Sequence, residues 1–335
     1  MRHLRSWLVF LLLGLVAGCS SPFNTFNPAG PEARSLASLG WWLSLFMLIV
    51  IVVMSVLVVW AALRRNGSLY EHMPVDSGGG KQWILIGGLL FSGTVLTILF
   101  LITLWTLNPL ASKAQAVDLE IEVTAHRWWW EVNYPGDNEN KGFETANEIH
   151  IPTNAKIGIK LLSADVIHSF WVPRLHGKLD MIPGKENYLI LEADKPGTYR
   201  GQCAEYCGMQ HSHMRFRVIA HSPEEYQRWV AAQREPAVKP DTAKLTQGKK
   251  IFESYACASC HTVRGTPARG SVGPDLTHFG SREMLGAGIL PNKRANLQAW
   301  IVDAQAIKPG INMPTLKQFD GEQLNALAAY LESLE

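Results

Sequence analysis

Residues 202–214 read Gln-Cys-Ala-Glu-Tyr-Cys-Gly-Met-Gln-His-Ser-His-Met, and the rest of the chain is arranged around them. Cys203, Cys207, His211 and Met214 bring two thiols, an imidazole and a thioether onto one short loop, with Glu205 and His213 between them. Soft sulfur together with imidazole suits copper, whereas calcium or magnesium calls for an oxygen-rich set. The two cysteines are four residues apart, which separates them from the C-x-x-C of a redox dithiol or zinc knuckle. A disulfide between them is the competing reading, favoured in an oxidising compartment. The loop follows a strand-like run, Tyr188 to Ala193, and the turn Lys195-Pro196-Gly197, so it hangs from a β scaffold.

Upstream, Val117, Leu119, Ile121 and Val123 alternate with Asp118, Glu120, Glu122 and Thr124, the mark of a half-buried strand. Similar runs at Glu148 to Ile151, Lys156 to Leu162 and Arg215 to Ala220, punctuated by Gly, Pro and Asn, complete an all-β domain over residues 111–234, expected to be a cupredoxin-like Greek-key sandwich. Its polar stretch Gly136 to Asn147 reads as a solvent-facing loop. Two further stretches stand out, Ala125-His126-Arg127-Trp128-Trp129-Trp130-Glu131 and Asp165-Val166-Ile167-His168-Ser169-Phe170. Taken alone, a run of tryptophans is more often packing than an electron path, and a single His after a strand is usually no ligand. The cysteine loop changes that weighing, because blue-copper folds take one His from an earlier loop and the remaining ligands from a loop between the last two strands. His176 and His213 read as bystanders.

The amino end begins with Arg2, His3 and Arg5, continues through apolar residues Trp7 to Val16, and closes with Ala17-Gly18-Cys19. This resembles a bacterial lipoprotein signal over residues 1–18 that leaves Cys19 as a lipidated first residue; ordinary signal cleavage nearby is the alternative. Gly40 to Leu63 carries no charge and, at ~1.5 Å per residue, is long enough to cross about 30 Å of hydrocarbon. Trp83 to Leu107 does the same, so residues 35–110 form a transmembrane hairpin with Trp41, Trp42, Trp60, Trp83 and Trp105 near the span ends. Arg64, Arg65 and Lys81 place the connecting loop in the cytoplasm and both termini outside, on the periplasmic or external face of a bacterial plasma membrane.

Towards the carboxyl end, Ser222-Pro223-Glu224-Glu225 carries the signals of a helix start, and the helix runs to about Arg234. Residues 235–243 then read as a linker. Cys257-Ala258-Ser259-Cys260-His261 is C-x-x-C-H, the attachment motif for c-type haem, in which both thiols bond the porphyrin and His261 binds iron. A helix over Gly248 to Tyr255, an amphipathic run from Arg294 to Ala304, Met313-Pro314 and a closing helix from Gly321 to Leu334 surround it. Residues 244–335 therefore form an all-α domain. Met313 ranks first as the second axial ligand, ahead of Met284 and His278, since His/Met ligation closes the iron to other ligands and raises its potential.

The chain is 335 residues long, enough for two or three domains. Its 47% hydrophobic and 18% charged residues agree with part of it lying in lipid, and a net charge of +2 gives no basic face for nucleic acid.

Taken in order, the hairpin, the H-x-W-x-W of His126 to Trp130, the D-V-x-H-S-F of Asp165 to Phe170 and the C-x-E-x-C-x-x-x-H-x-x-M of Cys203 to Met214 resemble subunit II of the haem-copper cytochrome c oxidases, over about Ser35 to Trp229. Residues 245–334 resemble a class I cytochrome c, in which Gly248 and Phe252 would pack the first helix across the last near Tyr330. The resemblance implies a dinuclear copper centre held by His168, Cys203, Cys207, His211, Met214 and the backbone carbonyl of Glu205. It implies a magnesium site reached by the Glu205 carboxylate at the interface with subunit I, an electron-input role for Trp128, and an acidic position beside the copper at Asp165. It further implies partnership with subunits I and III and a cytochrome c donor, with electrons passing through the haem and the copper pair to subunit I, where oxygen is reduced and protons are pumped. One departure stands out: Gly80-Lys81-Gln82-Trp83 lacks the carboxylate that many relatives carry before the tryptophan of the second span, and with it their link to proton uptake. A quinol oxidase subunit would lack the copper residues, a copper-delivery lipoprotein would have no use for a haem, and a soluble nitrous oxide reductase would not carry two spans.

Overall fold

The computed structural model describes residues 21–64, 80–108, 116–136 and 141–335. Cys19, the signal-like segment before it and Arg65 lie outside the described residues. The chain divides into two compact units, residues 34–112 and the remainder.

The first unit is built on two helices, α1 (Pro31–Arg64) and α2 (Gly80–Leu107), each long and apolar enough to cross a membrane. Their hydroxyls are satisfied inside the helix: Ser44 donates to the Gly40 carbonyl at 2.7 Å, Thr94 to Leu90 at 2.8 Å and Thr97 to Gly93 at 2.8 Å. Such back-bonding satisfies these hydroxyls without water, as a lipid environment would require. Between Ile84 and Phe91 the second helix widens into a π-helical stretch. There Ser92 reaches back five residues to the Gly87 carbonyl.

The second unit holds a β-sandwich of two five-stranded sheets. One runs β3 (Phe143–Ala146), β2 (Trp129–Tyr134), β1 (Leu119–His126), β5 (Ile157–Ser163), β8 (Asn187–Leu191). The other runs β4 (Glu148–Pro152), β10 (Arg215–His221), β9 (Gly197–Cys203), β6 (His168–Trp171), β7 (Leu179–Met181). Two pairs, β1 with β5 and β4 with β10, are parallel, so the chain crosses over between the sheets. The alternation expected in β1 is present, with Ile121, Val123 and Ala125 fully buried. At the centre lies Trp130, packed edge-on against Phe170 and tilted on Phe216 at 4.8 Å. Gly201 is required beneath that cluster, because a Cβ there would fall 2.3 Å from the Phe216 ring.

Of the stretch 136–147, expected as a solvent-facing loop, residues 137–140 lie outside the described residues, and the part from Phe143 onward is not a loop. Phe143 to Ala146 form an outer strand, since Phe143 stacks on Tyr134 at 4.6 Å and meets Trp229 edge-on, from a helix more than eighty residues later. That helix, α3 (Pro223–Arg234), starts as its sequence signals require: Ser222 accepts from Glu225 N while the Glu225 carboxylate accepts from Ser222 N. Ahead of α1, Ala29 is inserted between Arg174 and Asp194, donating to the Arg174 carbonyl at 2.7 Å and accepting from Asp194 N at 2.9 Å. Gly30 follows because a Cβ would strike the Glu192 carbonyl at 2.3 Å.

Beyond the sandwich the chain is helical: α4 (Ala243–Ser254), the short α5 (Cys257–Cys260), α6 (Arg294–Ile307) and α7 (Gly321–Glu332), with a two-residue hairpin of β11 (Met284–Leu285) and β12 (Leu290–Pro291). The helix α4 begins five residues before Gly248, because Thr242 caps it by accepting from Leu245 N. It crosses α7 at Gly248, where a Cβ would lie 2.1 Å from the Ala326 carbonyl, and Phe252 meets the Tyr330 ring edge-on. The segment expected as a linker is held at its start. Arg264 donates to the carbonyls of Gln233 at 2.5 Å and Arg234 at 3.3 Å, and Ala237 N donates to the Arg264 carbonyl at 3.0 Å.

Candidate metal and haem centres

The loop from Cys203 to Met214 is strung between two adjacent antiparallel strands, β9 and β10, whose register pairs Gln202 with Arg215. Cys203 N donates to the Met214 carbonyl at 2.9 Å, so the loop closes on itself where it leaves the sheet. Cys203 and Cys207 are both buried and both free, their sulfurs 3.8 Å apart, and the disulfide reading is discarded. Around the pair, His168 Nδ1 lies 3.8 Å from Cys203 Sγ, His211 Nδ1 3.6 Å from Cys207 Sγ, and Met214 Sδ 3.8 Å from Cys207 Sγ. The Glu205 carbonyl oxygen is 3.2 Å from Cys203 Sγ, while the Glu205 residue as a whole is exposed. Ligand atoms arranged tetrahedrally at ~2.3 Å from an ion sit about 3.8 Å from one another. The spacing found here is that of a coordination shell, with both thiols central to it.

His168 comes from the start of β6 and is fully buried. Its Nε2 is 2.8 Å from Asp165 Oδ1, which fixes the ring and turns Nδ1 to the sulfurs. Burial alone would lower the His168 pKa, but Cys203 and Asp165 outweigh it and the net direction is upward. For Asp165, burial pulls upward and is outweighed by the hydrogen bonds from His168, Val166 N and Arg127 N, so its carboxyl stays below the usual range. Cys203 is held low, first by the neighbouring Cys207 thiol, and is the member of the pair that ionises first.

Trp128 is buried beneath the same loop. Its indole Nε1 donates to the Cys207 carbonyl at 2.9 Å. The other side of the residue looks into a large apolar cavity walled by Phe252, Cys257, Cys260, His261, Leu297, Trp300, Met313, Leu327 and Leu331 from the helices, and by Arg127, Trp128, Trp129 and Asn147 from the sandwich. His261 Nδ1 donates to the Pro274 carbonyl at 2.8 Å, which leaves Nε2 unprotonated as the ligand atom. Gly273 lies against the ring, where a Cβ would come within 2.5 Å of His261 Cε1. Burial lowers the His261 pKa, outweighing the Pro274 hydrogen bond that pulls it upward, and favours the neutral imidazole. A cavity with two thiols, a tautomer-fixed imidazole and a thioether on its walls fits a haem.

Met313 and Met284 both line this cavity. Gln305 braces the Met313 segment by donating to the carbonyls of Ile311 and Met313, each at 2.7 Å. His278 is turned elsewhere, with Nδ1 at 2.8 Å from the Glu335 carbonyl and Nε2 at 3.0 Å from that of Glu235. His176 is buried with Nδ1 on the Gly177 carbonyl, and His213 faces Gln210 at 2.8 Å.

The seam between sandwich and helices holds residues that sequence reasoning missed. Glu148 accepts from Glu283 N at 2.8 Å and Met284 N at 3.2 Å, and Arg217 pairs with Glu283. Arg282 donates to Thr145 Oγ1 at 3.2 Å and the Asp275 carbonyl at 2.5 Å. Gln210 Nε2 donates to the Pro309 carbonyl at 2.8 Å, and Arg215 N to that of Ala287 at 3.0 Å. Burial pushes both Glu144 and Glu148 up to about 7. No local pattern marks these residues, because charged side chains between turns read as solvated.

Comparison with known proteins gives two family matches, one to the periplasmic domain of cytochrome c oxidase subunit II over residues 136–221 and one to cytochrome c over residues 245–335. Over nearly its whole length the chain is similar to cytochrome c oxidase subunit 2 of Alkalihalophilus pseudofirmus, at 36% identity over 98% of this chain and 96% of the relative. The same protein of Bacillus subtilis is 32% identical over 99% and 98%. Among solved structures, the periplasmic domain of subunit II of cytochrome oxidase from Bradyrhizobium japonicum is 32% identical and covers 36% of this chain and 95% of its own, with a TM-score of 0.34.

Proposed function

This chain belongs to the cytochrome c oxidase subunit II family, as an oxidoreductase subunit with a cytochrome c domain that binds copper and haem, and we propose that it is the electron-input subunit of its complex. Cys257, Cys260, His261 and Met313 would hold a haem that accepts electrons from an external cytochrome c, and Trp128 would connect it to a dinuclear copper centre. His168, Cys203, Cys207, His211, Met214 and the Glu205 carbonyl hold that centre, and subunit I receives the electrons from it. When bound, the iron and the copper pair each supply a one-electron redox couple, and the rest is the work of the chain. Cys203 and Cys207 offer sulfur that two ions can share, Asp165 orients His168, and the closed β9–β10 loop keeps the same ligand positions in both oxidation states.

The observation that carries the route is Trp128, which hydrogen-bonds the Cys207 carbonyl while forming part of the haem cavity wall. One side chain thus spans the ground between the two centres. The exposed Glu205 carboxylate supports a magnesium site shared with subunit I, since its carbonyl turns inward and its side chain is left to a partner. Subunit III, a lipid on Cys19, a two-span anchor over residues 35–110 and redox domains over 111–234 and 244–335 on the external face complete the reading. Arg64 and Lys81 at the inner ends of the two helices support that orientation.

The test is flash reduction of the haem in the purified complex while the copper absorbance is followed. Two coppers and one haem iron per chain, with reduced haem passing its electron to copper, are expected. Trp128→Leu is expected to slow that step with both optical spectra intact. Unchanged transfer in Trp128→Leu would remove Trp128 from the route, and one copper or none would end the dinuclear assignment.

A further inference from the structure

Lys308 caps the end of α6 and is 2% exposed, at the seam where the helices meet the sandwich. An ammonium has three donors and no acceptor. Here all three are used on backbone oxygens: the carbonyls of Trp128 at 2.7 Å, His213 at 2.8 Å and Gly286 at 2.8 Å. Burial without a carboxylate partner is costly, and it pushes the lysine down to about 7, with Cys207 pulling the other way. A Leu or Met would avoid the buried charge but leave three carbonyl oxygens without their donor, so the ammonium is matched to these acceptors, and what they belong to indicates its use.

Trp128 carries the indole that bonds the Cys207 carbonyl. His213 stands between His211 and Met214 in the copper loop. Gly286 belongs to the β11–β12 turn on the wall of the haem cavity. Next to the tripod, Gln210 of the copper loop donates to the Pro309 carbonyl, and Gly310 lies at ordinary contact distance beside the Trp128 ring. A single charged group thus ties the aromatic bridge, the copper loop and the haem wall to one point.

We propose that Lys308 is a positioning residue for electron transfer between the two centres, holding the Trp128 indole and the copper loop in fixed register with the haem cavity and, by its charge, favouring reduced copper. The role rests on the route proposed above. In the step it serves, one electron leaves the reduced haem and one arrives at the copper pair, and no bond forms or breaks between heavy atoms. A lysine at the end of a helix reads in sequence as an ordinary partner of the helix dipole. Its removal from water and its three oxygens, from residues 22 to 180 positions away, set it apart.

The experiment uses the intact membrane complex with wild-type subunit, Lys308→Met and Lys308→Ala. Haem is reduced by a flash, copper reduction is timed, and the copper midpoint potential is measured by titration. Lys308→Met is expected to keep the copper-to-iron ratio and both spectra, slow transfer by about tenfold or more, and lower the copper potential. Ethylammonium added to Lys308→Ala is expected to restore part of the rate, which it would not do if the variant had a general folding defect. If Lys308→Met loses copper, the Ala variant decides, and absence of rescue there overturns the proposal. Wild-type rate and potential in Lys308→Met overturn the role of Lys308 alone. A wild-type complex in which reduced haem passes no electron to copper overturns the route and the role together.

Discussion

Asp165→Ala is the substitution whose cost can be worked out most directly. The Asp165 carboxylate accepts from His168 Nε2 at 2.8 Å, Val166 N at 2.7 Å and Arg127 N at 2.7 Å, and the Arg127 guanidinium lies 3.6 Å away. It joins His168, the proposed histidine ligand, to the residue that precedes Trp128. Hydrogen bonds to a charged group contribute about 1.5–3 kcal/mol each. The carboxylate side chain is 23% exposed, so water replaces part of what is lost. A net cost of about 2–3 kcal/mol is expected, or roughly 4–12 °C in melting temperature for a unit of this size. The second effect falls on copper, because an unanchored imidazole loses orientation and basicity, which lowers metal affinity by about 10- to 100-fold. Asp165→Asn keeps acceptors for the amides but not the charge and should lie between the two. Calorimetry and a copper titration against a competing chelator read both numbers. An Ala variant that melts within about 0.5 kcal/mol of wild type and titrates on the same curve would show that Asp165 does not orient His168.

Gly273→Ala puts a methyl within 2.5 Å of the His261 ring, so a displaced imidazole and a haem shifted towards high spin are expected in the optical spectrum. Met313→Ala should abolish the signature of thioether ligation while Met284→Ala retains it; the reverse pattern would hand the axial place to Met284. Burial holds Glu144 and Glu148 both near 7, above the ordinary carboxylate value of 4.5. Packing of the helices on the sandwich binds their protons more tightly than separation does, so docking is strongest below about 4.5 and weakens as pH rises through about 7. Amide exchange at Glu283 and Met284, whose N–H groups rest on Glu148, should accelerate over that window, and Glu148→Gln should flatten the dependence.

The parts legible in the sequence are those whose physics is local. A strand with one buried face shows itself in β1 by alternation, a helix start shows itself at Ser222 by its capping box, and C-x-x-C-H is contiguous because thioether and imidazole must meet one porphyrin. The proposed copper ligands are nearly as local, since one loop supplies most of them. Only His168 comes from elsewhere, and its D-V-x-H-S-F context matched the family's. The outer strand at Phe143 was hidden because its burial depends on Trp229. Lys308, Arg282 and Glu148 were hidden for the same reason: each is an ordinary surface charge until a segment more than ninety residues away covers it. Nothing in their neighbours differs from a solvated turn.

The shared wall of the haem cavity has a consequence for how the two candidate centres come apart. Arg127, Trp128, Trp129 and Asn147 close that cavity from the sandwich side, and residues 308–310 roof the copper loop from the helical side. Each half therefore shuts the door of the other. Opening that one seam is expected to uncover the walls of both candidate centres together, so that a single substitution there would loosen two sites at once.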